Sequence, residues 1–315
     1  MNGIFSSALS GQQTNHLSRR QFLSATSIAT GALILPNSTP SAERELSGRK
    51  LAGFSKAFQE LAPKETAEIA AQVGWDGIEC TVRRGGHILP ERVEDDLPRM
   101  HAALRERGLE LFAISTDIAG RPDRANERVL RTASRLGVRL YRIAHLSYQR
   151  TRPLPEQIKT IRRNLSELEQ LNRELGLCAI YENHSGSDSV GAPVWDAYQL
   201  VDGLDPQRFG IAFDIGHATV EGGSAWALHF RLVQPYLKAV YVKDFSWRKK
   251  GEGWAAAWCP LGEGMVDPKF FQELNASGFN GPIVQFHEYE VGRGAERLAA
   301  FKTDLAALQK FLAKK

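Results

Sequence analysis

Hydrophobic residues fall along this chain in two alternating rhythms. Short runs rich in apolar, β-branched and aromatic residues cover Leu51 to Phe58, Gly77 to Val82, Leu109 to Thr116, Leu140 to His145, Cys178 to His184, Phe209 to His217, Leu237 to Phe245 and Pro282 to Glu288. Between them, apolar residues recur three and four positions apart, the spacing that gives a helix one apolar face. Pro155 to Leu175 shows it best: Ile158, Ile161, Leu165, Leu168, Leu171 and Leu175 share a face, a proline stands in the first turn, and Gly176 follows the end. Leu298, Phe301, Leu305, Leu308 and Leu312 repeat the signal near the C-terminus. Continuous apolar strands separated by amphipathic helices predict a parallel sheet covered on its outer face. Eight such units in about 250 residues are the size of one barrel. The predicted fold class is therefore α/β, a single (β/α)8 barrel.

In that architecture chemistry sits at the carboxyl ends of the strands, so the polar residues there form one set. They are Glu79, with His87 in the loop after it; His145; Glu182 and His184; Asp214 and His217; Lys243 and Asp244; and Gln285, His287 and Glu288. Tyr181-Glu182-Asn183-His184 and Phe213-Asp214-Ile215-Gly216-His217 each deliver a carboxylate with a histidine just beyond it. The two carboxylates are 32 residues apart, about one strand-helix-strand unit, which puts them on neighbouring strands aimed at one spot. A shared cation or a sugar is the expected occupant. Of the eight histidines, His87, His145, His184, His217 and His287 are all expected on this face, whereas His101 and His229 fall in helical stretches.

The first 42 residues read as a leader rather than as part of the barrel. Ser18-Arg19-Arg20-Gln21-Phe22-Leu23 has the form of a twin-arginine export signal; an apolar stretch to Leu35 and small residues to Ala42 follow, with no acidic residue before Glu43. The 14 residues from Phe22 to Leu35 fall short of the roughly 20 needed to span a bilayer. The reading predicts engagement with the twin-arginine machinery, a periplasmic location, no stable membrane anchor, and a mature domain over residues 43–315. Without Arg19 and Arg20 the formal charge drops from +4 to +2, and no clustered basic stripe suggests nucleic acid as a partner. Three widely spaced cysteines, Cys80, Cys178 and Cys259, offer neither a disulfide framework nor a thiolate metal site.

Ser246 to Pro260 carries Trp247, Trp254 and Trp258 beside Arg248, Lys249 and Lys250. It is expected to be an irregular lid after the seventh strand whose tryptophan faces, Trp247 first, stack on a sugar. Leu261-Gly262-Glu263-Gly264 should be the turn that returns the chain to its helix, its glycines supplying backbone freedom.

Several motifs, in register with the strands, resemble one family. Gly74-Trp75-Asp76-Gly77-Ile78-Glu79, the two carboxylate motifs, Lys243-Asp244, Leu261-Gly262-Glu263-Gly264 with Asp267, and Gly281-Pro282-Ile283 are similar, in order, to the xylose-isomerase-like TIM barrels of sugar phosphate isomerases and epimerases. The resemblance runs from about Leu51 to the C-terminus. It implies a small-molecule carbohydrate substrate and a divalent metal, Mn2+, Mg2+ or Zn2+, on Glu182, Asp214 and the Gln285 position. It implies a metal or substrate contact at His217, and a homo-oligomer, dimer or tetramer. Two positions depart from the family pattern: Tyr241 stands for a histidine and Gln285 for a glutamate. A glutamine carbonyl can bind a hard cation but cannot take a proton from carbon.

Three readings follow. In the first, the site polarises a sugar carbonyl with a metal while Glu182, His184 or Lys243 moves a proton, with Glu79, His145, His217, Trp247 and Glu288 around the substrate. In the second, His184, Lys243 and Glu288 carry out a metal-independent lyase or epimerase reaction on an oxidised sugar. In the third, the barrel binds carbohydrate without turning it over. Nuclease activity, known in the family, is disfavoured by Tyr241, Gln285 and the lack of a basic face.

Overall fold

The computed structural model describes residues 49–120 and 123–314; the leader lies outside the described residues. Strands β1 (Leu51–Phe54), β2 (Gly77–Thr81), β3 (Glu110–Ser115), β4 (Leu140–Arg142), β5 (Cys178–Glu182), β6 (Phe209–Asp214), β7 (Leu237–Val242) and β10 (Ile283–Gln285) close into one parallel barrel, β10 pairing with both β7 and β1. β8 (Asp244–Lys250) and β9 (Gly253–Cys259) form a separate antiparallel hairpin. The helices are α1 (Pro63–Val73), α2 (Val93–Glu106), α3 (Arg124–Arg135), α4 (Leu154–Leu175), α5 (Val194–Val201), α6 (Ile215–Gly222), α7 (Trp226–Val233), α8 (Lys269–Ala276) and α9 (Ala295–Ala313). Among the described residues, no helix is long and apolar enough to cross a membrane.

The barrel strands end earlier than their apolar runs. Ser55–Phe58 is a 3-10 turn, and Ile215 to His217 already belong to α6. Ser55, Phe58 and Ile215 to His217 are buried there, so burial continues where the ladder has stopped. Ser246 to Pro260 is likewise no irregular loop: seven residue pairs from Asp244↔Cys259 to Lys250↔Gly253 form a regular ladder closed by Gly251-Glu252, with Gly251 at φ 62°.

Two cores result. The larger lies between strands and helices. Trp75 is fully buried there against Phe58 and Phe301, and its ring packs so closely on β1 that a Cβ on Gly53 would run into it. Inside the barrel, Ala52, Ile180, Ala212 and Ala239 leave room for the larger Phe54, Tyr241 and Phe286. The Phe54 and Phe286 rings stack at 4.1 Å, with Tyr241 4.4 Å from Phe286. These aromatics floor the pocket at the carboxyl end.

Candidate active site

Strand alternation decides which residues face that pocket. Glu182 pairs with Ala212, two residues before Asp214, and Asp214 pairs with Tyr241, two before Lys243. All five therefore point inward. On the eighth barrel strand, Tyr241 pairs with Val284, so Val284, Phe286 and Glu288 face inward. Gln285 and His287 face outward. The Gln285 carbonyl oxygen accepts the Trp75 indole N–H at 2.8 Å, and the His287 ring lies 4.3 Å from Phe301. The Gln285 ligand assignment and the expectation for His287 are corrected by this one-residue parity, which a run of only three paired residues did not disclose. His87 also lies aside, its Nε2 2.8 Å from the Leu61 carbonyl oxygen.

Below the mouth, Arg142 of β4 bridges two buried carboxylates. Its guanidinium contacts Glu182 Oε2 directly, reaches Glu79 Oε1 at 3.3 Å, takes Ser115 Oγ at 3.1 and 3.2 Å, and lies 5.2 Å from the Phe54 ring centre. Burial alone would raise the Glu182 pKa, but Arg142 first, then His145, Lys243 and His184, together outweigh it and hold this carboxyl below the ordinary range. At Glu79 burial wins over Arg142 and the pKa is raised. Glu79 is wholly enclosed, accepting from Ser115 Oγ beneath Arg142. It holds Arg142 in place rather than touching substrate, as the sequence reading had it. A charged residue in a short apolar strand must be paired inside, which was the available signal for Arg142.

Above it, Lys243 Nζ lies 2.7 Å from His217 Nε2, 3.1 Å from Asp214 Oδ2 and 3.2 Å from Glu288 Oε2. Burial would lower the Lys243 pKa, but Asp214, Glu288 and Glu182 outweigh it and raise the value, so it stays an ammonium. Burial prevails at Asp214, whose pKa rises despite Lys243. Asp214 also caps α6, accepting from the His217 N–H at 2.8 Å, which fixes where His217 starts.

An ammonium can only donate, so His217 Nε2 accepts and its Nδ1–H donates to Ser185 Oγ at 2.8 Å. Burial, then Lys243, keeps this ring neutral. His184 lies between His217 and His145, its ring tilted to both, with ring centres 3.9 and 4.3 Å away. Its Nδ1 faces the Ser185 carbonyl at 2.8 Å, an oxygen that can only accept, which leaves the Nε2 lone pair as a base.

The hairpin reaches this pocket through Trp258, not Trp247. The Trp258 ring lies 4.6 Å from Lys243 Nζ and 5.0 Å from the His217 ring, while Trp247 packs edge-on against Phe245 and is 40% exposed. Trp258 and Trp247 nevertheless share one hairpin face, since Phe245 pairs with Trp258 and Trp247 lies two residues on. Asp244 ties down the base of the hairpin. Its carboxylate accepts backbone N–H groups from Phe245 at 2.8 Å and from Gly262, Gly264 and Val266 at 3.0 Å. A Cβ on Gly264 would collide with that carboxylate.

Glu182, Asp214 and His217 offer one ligand atom each, all within 4.8 Å of one another, a spacing compatible with a divalent cation. The charge around them does not suit one. Arg142 holds Glu182, Lys243 holds Asp214 and the His217 lone pair, and the inward positions that would complete a set carry Tyr241 and Phe286. The cluster fits a metal in spacing but not in donor state.

The sequence matches the family described as Xylose isomerase-like TIM barrel over residues 67–311. No curated protein matches it. Among solved structures it is similar to the IOLI protein with a bound zinc atom (TM-score 0.70, 17% identity, covering 84% of this chain and 98% of that one). It is also similar to 3-keto-D-glucoside 4-epimerase from E. coli (TM-score 0.64, 19% identity, 83% and 99% covered). A third is the probable 3-DHS dehydratase AsbF from Bacillus anthracis (TM-score 0.63, 16% identity, 82% and 98% covered). At these identities the likeness is one of fold.

Proposed function

The chain belongs to the xylose isomerase-like TIM barrel family, and from that premise we propose that it is a sugar isomerase or epimerase that moves a proton on the carbon beside a carbonyl. The observation that carries this reading is the buried Lys243 ammonium 2.7 Å from His217 Nε2, with the His184 ring centre 3.9 Å from that of His217. Lys243 receives the carbonyl oxygen in place of Glu288, the one of its three acceptors that is partly exposed, as negative charge grows on that oxygen while the neighbouring carbon loses its proton. A fixed cation in a dry pocket stabilises that charge without reorganising. His184 takes the proton and returns it to the adjacent carbon or to the opposite face. Glu182, held ionised by Arg142, is a weak base suited to accepting hydrogen bonds from sugar hydroxyls. Glu288 and His145 line the same mouth, and Trp258 offers an aromatic edge.

Similarity to a 3-keto-glucoside epimerase and to a dehydratase supports proton abstraction next to a carbonyl as the common step. The same step would open a lyase reaction on an oxidised sugar. We further propose a non-phosphorylated substrate met in the periplasm, because the chain carries no glycine-rich phosphate cradle and Arg19-Arg20 precedes an apolar stretch. Incubation with aldoses, ketoses and 3-keto-glycosides in D2O should exchange the carbon-bound hydrogen of the true substrate. His184→Gln should slow that exchange by about 10²- to 10⁴-fold. A loss below about tenfold excludes His184 as the base, and binding without exchange across the panel would make the barrel a carbohydrate-binding module.

A further inference from the structure

The triangle of Glu182, Asp214 and His217 is where a divalent ion would sit, and each of its corners is already engaged by a protein cation. Lys243 Nζ meets His217 Nε2 at 2.7 Å and Asp214 Oδ2 at 3.1 Å, and Arg142 meets Glu182 Oε2. Both cations are built in. Their side chains are 2% and 3% exposed, so neither can swing into water without leaving a buried carboxylate unpaired. Trp258 and Phe286 cap the Lys243 ammonium at 4.6 and 5.2 Å, a further sign that the pocket is shaped around a cation.

The residues that would have helped a metal serve these cations instead. The Tyr241 ring lies 5.7 Å from the Arg142 guanidinium, and the Phe286 ring lies near both cations. Glu288, at 3.2 Å, adds a third acceptor to Lys243. His217 is the decisive member. A metal needs its Nε2 lone pair, and Lys243 already uses that lone pair, while Ser185 takes the other ring nitrogen.

We infer that the Lys243 ammonium, backed by the Arg142 guanidinium, is the resident cation of this pocket, and that the Glu182–Asp214–His217 triangle becomes a divalent-metal site only when the Lys243 charge is removed. This deepens the proposed isomerase reading and rests on it only for the claim that the reaction needs no added metal.

The test titrates the full chain, stripped with a chelator, with Mn2+ alone and then Zn2+ alone, following heat and the summed tryptophan emission. Lys243→Met should bind Mn2+ at least about tenfold more tightly than the unaltered protein, the scale on which neighbours of a metal site tune affinity. Lys243→Gln, which keeps a donor for Asp214, takes its place if the methionine variant does not give a native circular dichroism spectrum. Stoichiometric metal retained by the unaltered protein through purification, or Mn2+ binding as tight as in both variants, overturns the inference. No sugar is present in these titrations. Tighter binding in the variants with no isotope exchange in any sugar would therefore sink the reaction and leave the resident cation standing.

Discussion

Replacing Arg142 by methionine should cost the fold about 3–5 kcal/mol, the range found when one partner of a buried ion pair is removed. The structure favours the upper part of that range. Arg142 is the counter-charge of two carboxylates, Glu79 and Glu182, exposed by 0% and 2%, and it also satisfies the Ser115 hydroxyl. Methionine fills most of the arginine stem, so the loss reports charge rather than a cavity. At about 2–4 °C per kcal/mol for a chain of comparable size, the melting temperature should fall by about 6–20 °C.

The pH dependence has a defined sign. In the unaltered protein Glu182 is held below its ordinary pKa, so its contribution is present above the unfolded value and is lost as pH falls through the folded one. Without Arg142, burial loses its largest opponent and the Glu182 and Glu79 pKa values should both rise. Their contribution is then present below the unfolded pKa and lost as pH rises. Melting curves followed by circular dichroism at pH 5, 6, 7 and 8 should therefore show a gap between the two proteins that widens with pH, by up to about 1.4 kcal/mol per unit for each proton involved. Adding Glu182→Gln to Arg142→Met should recover much of the loss at pH 8. A shift under about 2 °C, equal at pH 5 and 8, would refute the two-carboxylate bridge.

Asp244→Ala should cost at least about 3 kcal/mol in urea unfolding, because four backbone N–H groups lose one charged acceptor; an unchanged midpoint would show that water replaces it freely. Arg19→Lys with Arg20→Lys should leave the chain in the cytoplasm by cell fractionation, and export at the ordinary rate would remove the twin-arginine assignment.

Each barrel strand begins within one residue of where its apolar run predicts, because a parallel strand buried on both faces is mostly apolar and keeps its buried charges towards its carboxyl end. The strand ends were less legible, since Ile215 and Phe286 stay buried beyond the ladder. Spacing alone suggests that Glu182 and Asp214 converge, whereas His217 and Lys243 are placed by their positions at strand ends. The inward parity of the last strand could not, because its three paired residues give no polar-apolar alternation to count. The hairpin was hidden by Arg248, Lys249 and Lys250, which look like a solvated loop but occupy the exposed half of β8. Its signal was Lys250-Gly251-Glu252-Gly253, a two-residue turn flanked by aromatic residues. A single arginine barely lowers the apolarity of the run from Leu140 to His145, so the pattern does not single out Arg142.

The hairpin of β8 and β9 forms its ladder only with itself, and its base is fastened by the Asp244 carboxylate. No barrel strand depends on it for a backbone partner. The barrel and the hairpin can therefore change at different rates. Substitutions at the exposed tip, around Trp254, leave the closed sheet and its buried charges as they are, while those near Trp258 are screened by what they do beside Lys243. The hairpin acts as an exchangeable cassette, and the fixed parts of the molecule are those that hold Arg142 and Lys243.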